Sequence, residues 1–304
     1  EVWDVLRRVD LRWVAAALGL AIADRLVTNF RWQDLLRGRG VHIGFLRLFR
    51  VQLLANFIGS FLPGFIGVDA VRIGSLCRSG ESTAPVVAAT LIDRFTIALA
   101  TVLLGALTVL VLAQSRLPPH LVQFVLVLAL AGIAGVLAIL HPAVRRWIHD
   151  RLLPRVPERL RTTFSDVGRA ALAYRHQPGL MARMVGWTVL LFAVRIGFAK
   201  VLGLACGVDI GTSDLLLVIP VLWVVVMAPI TIGGIGVQDA GYVVLMGLIG
   251  IGAPVAVSMS LVEHIVARLA SLPGAFFLSE VSARGTPADA AREIHSFLAA
   301  LPRI

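Results

Sequence analysis

Pro63-Gly64-Phe65-Ile66-Gly67-Val68-Asp69-Ala70-Val71-Arg72 interrupts one apolar run, and Pro229-Ile230-Thr231-Ile232-Gly233-Gly234-Ile235-Gly236-Val237-Gln238-Asp239-Ala240 interrupts another. Both pass from Pro through Ile-Gly-Val to Asp-Ala or its near equivalent. Non-helical backbone at membrane depth is tolerated only where protein or a water-filled cavity surrounds it. Paired breaks at corresponding places in two halves are the sequence mark of a transporter's binding site. The two stretches therefore predict a membrane protein with a polar site at its centre.

The surrounding sequence agrees. With 58% hydrophobic and only 15% charged residues, and a mean hydropathy of +0.87, the chain lies outside the range of an ordinary soluble domain. Apolar stretches of about 20 residues read as spanning helices, and the sequence offers 13–30, 84–113, 121–140, 184–206 and 255–278. Shorter arms at 47–62, 68–77, 214–228 and 238–250 flank the breaks. The predicted fold is all-α: a polytopic integral membrane protein of two inverted repeats, each containing a Gly/Pro-broken re-entrant hairpin. The hairpin tips are Pro63, Gly64 and Gly67, and Pro229, Gly233, Gly234 and Gly236. One transmembrane domain, 1–304, divides into a first half (1–140), a basic linker with an amphipathic helix (141–180), a second half (181–282) and a tail (283–304).

A formal net charge of +10 invites a nucleic-acid reading, but the placement of the charge argues for a membrane instead. Eight Arg stand against three acids in 141–180, and five against one in 31–50, while 207–214 and 250–254 hold no Lys or Arg. This positive-inside pattern puts 31–50, 72–82, 141–183 and the tail on the cytoplasmic side of a bacterial inner membrane. Segment 47–77 must then leave and return on one side, and its arms are too short for two full spans. The same count makes 214–250 a hairpin from the opposite face. In the linker, Leu160, Phe164, Val167 and Ala171 recur at helical spacing, which suits a helix on the leaflet or packed against the protein. Cys77 and Cys206 fall on opposite faces, and no His/Cys cluster suggests a metal, so neither disulfide, metal nor cofactor is expected. Because the chain opens on Glu1 rather than Met, residues are expected upstream.

Ionisable side chains inside spans are costly and face the bundle interior or a cavity. The candidates for contact with an anionic headgroup are Asn56, Asp69, Arg72, Asp93, Arg94, Arg195, Lys200, Asp239, Glu263, His264 and Arg268. Arg matches phosphate bidentately, and half-helices beginning after Gly67 and Gly236 add N–H donors. The other reading of the same residues is structural ion pairing between helices. Asp24-Arg25 reads as structural or interfacial. His264 beside Glu263 has no nucleophile placed near it, and the Gly233–Gly236 run lacks the strand a dinucleotide loop needs. Catalysis is therefore not expected.

Arg31-Trp32-Gln-Asp-Leu-Leu36, Asn56 ahead of Leu62-Pro63-Gly64, Gly67-Val-Asp69-Ala-Val-Arg72 and Asp93-Arg94 together resemble the lysylphosphatidylglycerol synthase transmembrane (flippase-like) family. Pro229 through Asp239, with Glu263 and Arg268, resembles its second signature. The resemblance covers almost the whole chain. It departs where the family usually has Gly-Gly-Asp, here Gly67-Val68-Asp69, and where Glu is common, here Gln238-Asp239 and Asp93. The resemblance implies lipid translocation, as in the flippase part of bifunctional lysyl-lipid synthases, without their aminoacyltransferase activity. Some relatives accompany polyprenyl-linked sugar or hopanoid pathways. The expected function is a translocase for an anionic or aminoacylated phospholipid or other amphiphile, possible partner enzymes of lipid synthesis included. The alternative is a membrane-embedded lipid-modifying enzyme, or a subunit of a lipid or polyprenyl-glycan synthesis complex.

Overall fold

The computed structural model describes residues 1–62, 66–112, 119–147, 150–151, 158–226 and 236–278. Among them every regular element is helical: α1 (Val2–Arg7), α2 (Leu11–Arg37), α3 (Phe45–Gly59), α4 (Ile66–Arg78), α5 (Thr83–Leu112), α6 (Pro119–Leu140), α7 (Pro142–Trp147), α8 (Glu158–Leu172), α9 (Pro178–Ala205), α10 (Thr212–Val226), α11 (Val237–Leu248) and α12 (Ala253–Ser271), the last running into a 3₁₀ turn at Leu272–Phe277. The expected tip residues Pro63, Gly64, Pro229, Gly233 and Gly234 lie outside the described residues, as does the tail. Three helical stretches, Thr83–Val111, Pro178–Ala205 and Ala253–Phe277, are long and apolar enough to cross a membrane. Exposed Leu103, Leu107 and Leu110 on α5, and Val185 and Val189 on α9, suit an apolar surround.

The arms of the broken segments are helical. The arms expected at 47–62 and 68–77 are α3 and α4, and those at 214–228 and 238–250 are α10 and α11. The first pair is antiparallel. A Cβ on Gly59 would lie 3.3 Å from the Val68 Cα, and Ala55 packs with Val71 one turn further on. Each pair then leans on the other half of the chain. α10 packs on α5, while α3 packs on the Leu272–Phe277 turn and on α12.

The first helix corrects the sequence reading. Residues 13–30 were expected to span and 31–50 to form a basic loop, yet α2 continues unbroken to Arg37. Asp10 caps its start by accepting the Arg12 N–H at 2.9 Å, and no Gly or Pro stands between Phe30 and Gly38. The charges of its last turns do not end the helix because they find partners inside the protein. Arg31 and Trp32 are fully buried.

α2 packs lengthwise and antiparallel on α9. Asp34 accepts the Trp187 Nε1–H at 3.1 Å and lies 3.6 Å from Arg183, Arg31 donates to the Met184 carbonyl at 3.2 Å, and Arg195 donates to Asp24 at 2.9 Å. The linker clasps the end of this pair. Tyr174 donates to the Leu35 carbonyl at 2.7 Å and Gln177 to that of Gly38 at 2.9 Å. Burial pushes the Tyr174 phenol well above its usual range, so it stays a donor. On α8, Val167 and Ala170 are buried against Ala88 of α5, so this part of the apolar face is covered by the protein itself.

A close approach between the two halves gives a stability test. A Cβ on Gly274, in the 3₁₀ turn, would overlap the Leu53 carbonyl of α3. Gly274→Ala should destabilise by about 1–3 kcal/mol, the usual cost of overpacking, read as a lower Tm in detergent. Gly186→Ala, with nothing within 4 Å, should not lower it.

Candidate functional site

Five charged side chains of the first half converge where α2, α4 and α5 meet. α2 carries Arg31, α4 carries Asp69 and Arg72 three residues apart on one face, and α5 carries the adjacent Asp93 and Arg94. Arg31 and Asp93 are wholly buried and paired at 3.2 Å. The Arg31 guanidinium also donates to Thr96 at 3.1 Å and to Thr188 of α9. Arg72, equally buried, lies over the Trp32 ring with its Cζ 4.0 Å from the centroid. Its Nη1 stands 3.6 Å from both Asp69 and Asp93. Arg94 grips Asp69 with two hydrogen bonds of 2.7 Å, and this pair alone reaches the surface, Arg94 being 31% and Asp69 19% exposed. Three guanidinium groups against two carboxylates leave the cluster with a net positive charge.

A second cluster is built by the other half. The Gly236 backbone, at φ +91°, turns the chain into α11, and its N–H donates to Asp239 at 2.8 Å. The other Asp239 oxygen accepts from Ser260 and contacts His264 Nε2 at 3.1 Å. Tyr242 donates to Glu263. Beside these lies a small recess bordered by Arg195, Phe198, Trp223, Gln238, Tyr242 and Glu263. Arg195 lies over Trp223 at 3.8 Å while holding Asp24. Ser260 and His264 both address the carboxylate, so the imidazole does not stand between a hydroxyl and an acid as an acyl-transfer triad requires.

The two clusters share a spacing. Asp69 and Arg94 are 25 positions apart, as are Asp239 and His264. Tyr242 and Glu263 are 21 apart, the interval that also separates Arg72 from Asp93. Each set joins the second arm of a broken pair to the long helix that follows it.

Of the candidates read from the sequence, Asp69, Arg72, Asp93 and Arg94 come together in the first cluster, and Asp239, Glu263, His264 and Arg195 gather around the second. Asn56 stands three residues before Gly59 on α3, whose face packs on Val68, and its buried Nδ2 has no hydrogen-bond partner among the described residues. Lys200 joins neither cluster; it pairs with Asp209 and the Ile210 carbonyl beyond the end of α9. Arg268 is exposed and has no ion-pair partner among the described residues, although His264 one turn away is buried. Sequence reasoning missed Asp24, Arg31, Ser260 and Tyr242 as members of the site. The repeated 25- and 21-residue intervals are the signal that would have found Ser260's and Tyr242's neighbours as a set. Among the described residues no three His, Cys, Asp or Glu side chains are grouped to hold a metal ion.

A family model described as the lysylphosphatidylglycerol synthase TM region matches residues 1–274, and the chain belongs to that family. No curated protein matches it. Membership, together with three apolar helices of spanning length, makes this a membrane protein with a lipid-related role.

Removing one partner of a buried ion pair strands the other, at a cost of about 3–5 kcal/mol. Arg31→Ala should therefore lower Tm steeply or prevent folding. Arg94→Ala, at the partly exposed pair, should lower it much less, and Arg268→Ala should leave it unchanged. Thermal unfolding of the three variants in one detergent checks the order.

Proposed function

We propose that this member of the lysylphosphatidylglycerol synthase TM family is a translocase that moves an anionic or aminoacylated phospholipid, or a similar amphiphile, between the leaflets of the bacterial cytoplasmic membrane. On this reading α3–α4 and α10–α11 are re-entrant hairpins of two inverted repeats. The headgroup crosses between them while the acyl chains stay in lipid. Reciprocal packing supports the repeat: the second hairpin leans on the long helix of the first half, and the first hairpin on the end of the long helix of the second. So do the shared residue intervals of the two clusters.

The observation that carries the reading is the Asp69–Arg94 pair. A planar guanidinium offers a fork that fits phosphate oxygens as it fits a carboxylate. Arg94 presents that fork at the edge of a cluster whose other guanidinium groups are sealed inside. The net positive charge behind it favours an anion. Arg94 is thus the group that meets the headgroup phosphate, and Asp69 the group that holds its place. The second cluster, with Asp239 and Glu263 as its acids, supplies the groups that meet the headgroup's hydroxyl or ammonium substituents.

A second reading, a lipid-modifying enzyme or a subunit of a synthesis complex, draws on the hydroxyl, carboxylate and imidazole grouped at Ser260, Asp239 and His264. One assay separates the two. In liposomes containing a fluorescent anionic phospholipid, a membrane-impermeant quencher should reach most of the label when the protein is present, without ATP. Protein-free liposomes should stop near half, since only the outer leaflet is exposed. Asp69→Asn and Asp239→Asn should slow the exchange. Wild-type traces that coincide with protein-free ones for several headgroups and under a proton gradient would sink the translocase reading, and a lipid product formed from labelled precursor would favour the enzyme.

A further inference from the structure

We propose that Arg72 is the alternate partner of Asp69: when an anionic headgroup takes the Arg94 fork, the Asp69 carboxylate passes to the buried Arg72 guanidinium, and it returns to Arg94 when the headgroup leaves. The inference rests on the headgroup reading of Arg94 and adds to it the means by which the site opens.

Arg72 is the most anomalous side chain of the cluster. It is fully buried, yet none of its three guanidinium nitrogens has a hydrogen-bond partner among the described residues, and neither has Asp93 Oδ2. Both carboxylates stand 3.6 Å from its Nη1, beyond hydrogen-bond reach. A buried polar group left in this state is costly, more so when charged, and calls for a physical reason. The fold does not force the arrangement. At the matching interval in the second half stands Tyr242, whose hydroxyl donates directly to Glu263. The same slot can therefore be filled by a neutral side chain with its hydrogen bond made.

The geometry gives the unsatisfied guanidinium a use. Asp69 and Arg72 lie one turn apart on α4, so closing the gap needs a shift of about 1 Å at the carboxylate and a rotamer change, with no movement of the helix. Arg72 is a fixed target, pressed on the Trp32 ring at 4.0 Å. Asp93 is not drawn away meanwhile, because Arg31 keeps it at 3.2 Å. A phosphate arriving at Arg94 without this second partner would strand Asp69 as a part-buried anion beside another anion. With it, arrival and departure of the headgroup are exchanges of one anion for another at each guanidinium. Asp69 blocks the fork when the site is empty and helps to expel the headgroup at the end of the cycle. Arg72 acts through Asp69 and is a positioning residue.

A double-mutant cycle tests the coupling. The full chain in neutral detergent is titrated calorimetrically with dihexanoyl phosphatidylglycerol, and with dihexanoyl phosphatidylcholine as the zwitterionic comparison. Arg72→Gln should weaken phosphatidylglycerol binding about tenfold, a usual size for a coupling between sites. Asp69→Asn should bind it several-fold more tightly, because Arg94 no longer has a competitor, while slowing exchange in liposomes. In the Asp69→Asn background, Arg72→Gln should cost less than about threefold. Arg72→Lys, which keeps the charge but loses the guanidinium plane over Trp32, should fall between wild type and Arg72→Gln. A cost for Arg72→Gln that is the same with and without Asp69 makes Arg72 a structural residue and overturns the exchange, leaving the headgroup reading intact. Weaker binding by Asp69→Asn overturns it too, and this arm decides the matter if Arg72→Gln does not fold. A wild type that binds phosphatidylglycerol no better than phosphatidylcholine overturns the headgroup reading and the exchange together.

Discussion

The first half of the molecule is organised around one requirement: the Arg31 guanidinium, fully buried, cannot be left without acceptors. A charge taken out of water is tolerated only when paired and hydrogen-bonded. Arg31 meets that demand by drawing on Asp93 and Thr96 of α5 and on Met184 and Thr188 of α9. Three helices from both halves are thereby fixed around one side chain. In lipid, where burial of apolar surface gives little drive for helix association, such polar contacts do much of the positioning. The placement of Asp93 then sets that of Arg94 next to it, and Arg94 sets Asp69. The partly exposed pair at the edge of the cluster is arranged from the inside outward.

The two clusters solve the same placement with different chemistry. In the first, cations outnumber acids and the group facing the long helix from α4 is an arginine. In the second, Asp239 and Glu263 face a histidine, a serine and a tyrosine. A molecule carrying both a phosphate and a donor-rich substituent would find complementary ends in the two halves. On the proposed translocase reading, that division of charge would orient a headgroup as well as place it.

The broken arms were legible in the sequence because proline and glycine act locally: α3, α4, α10 and α11 begin and end close to where the breaks place them. The charged residues at membrane depth were legible for a related reason, since an ionisable side chain within an apolar run has few places to go. What the sequence concealed is partnership. Arg31 and Asp34 read as residues of a basic loop because their partners on α9, the Met184 carbonyl and the Trp187 indole, each lie 153 positions away. Asp24 read as interfacial for want of any local sign of Arg195, 171 positions distant. Arg268 and Lys200 show the converse. Both sit in apolar helices, yet one faces outward and the other turns to the loop after its own helix. Position within a span predicts that a charge must be accommodated, without saying by what.

The polar contacts between α2 and α9 also bear on how the protein can move. Asp34 with Trp187 and Arg183, Arg31 with Met184 and Thr188, and Asp24 with Arg195 are spread over about three turns of an antiparallel pair. They act as notches that admit a single register. A slide of one helix along the other would break all of them together. Shear between these two rods is thus closed as a route, and they form a rigid spine. Any rearrangement has to be taken up by the shorter helices hung on either side.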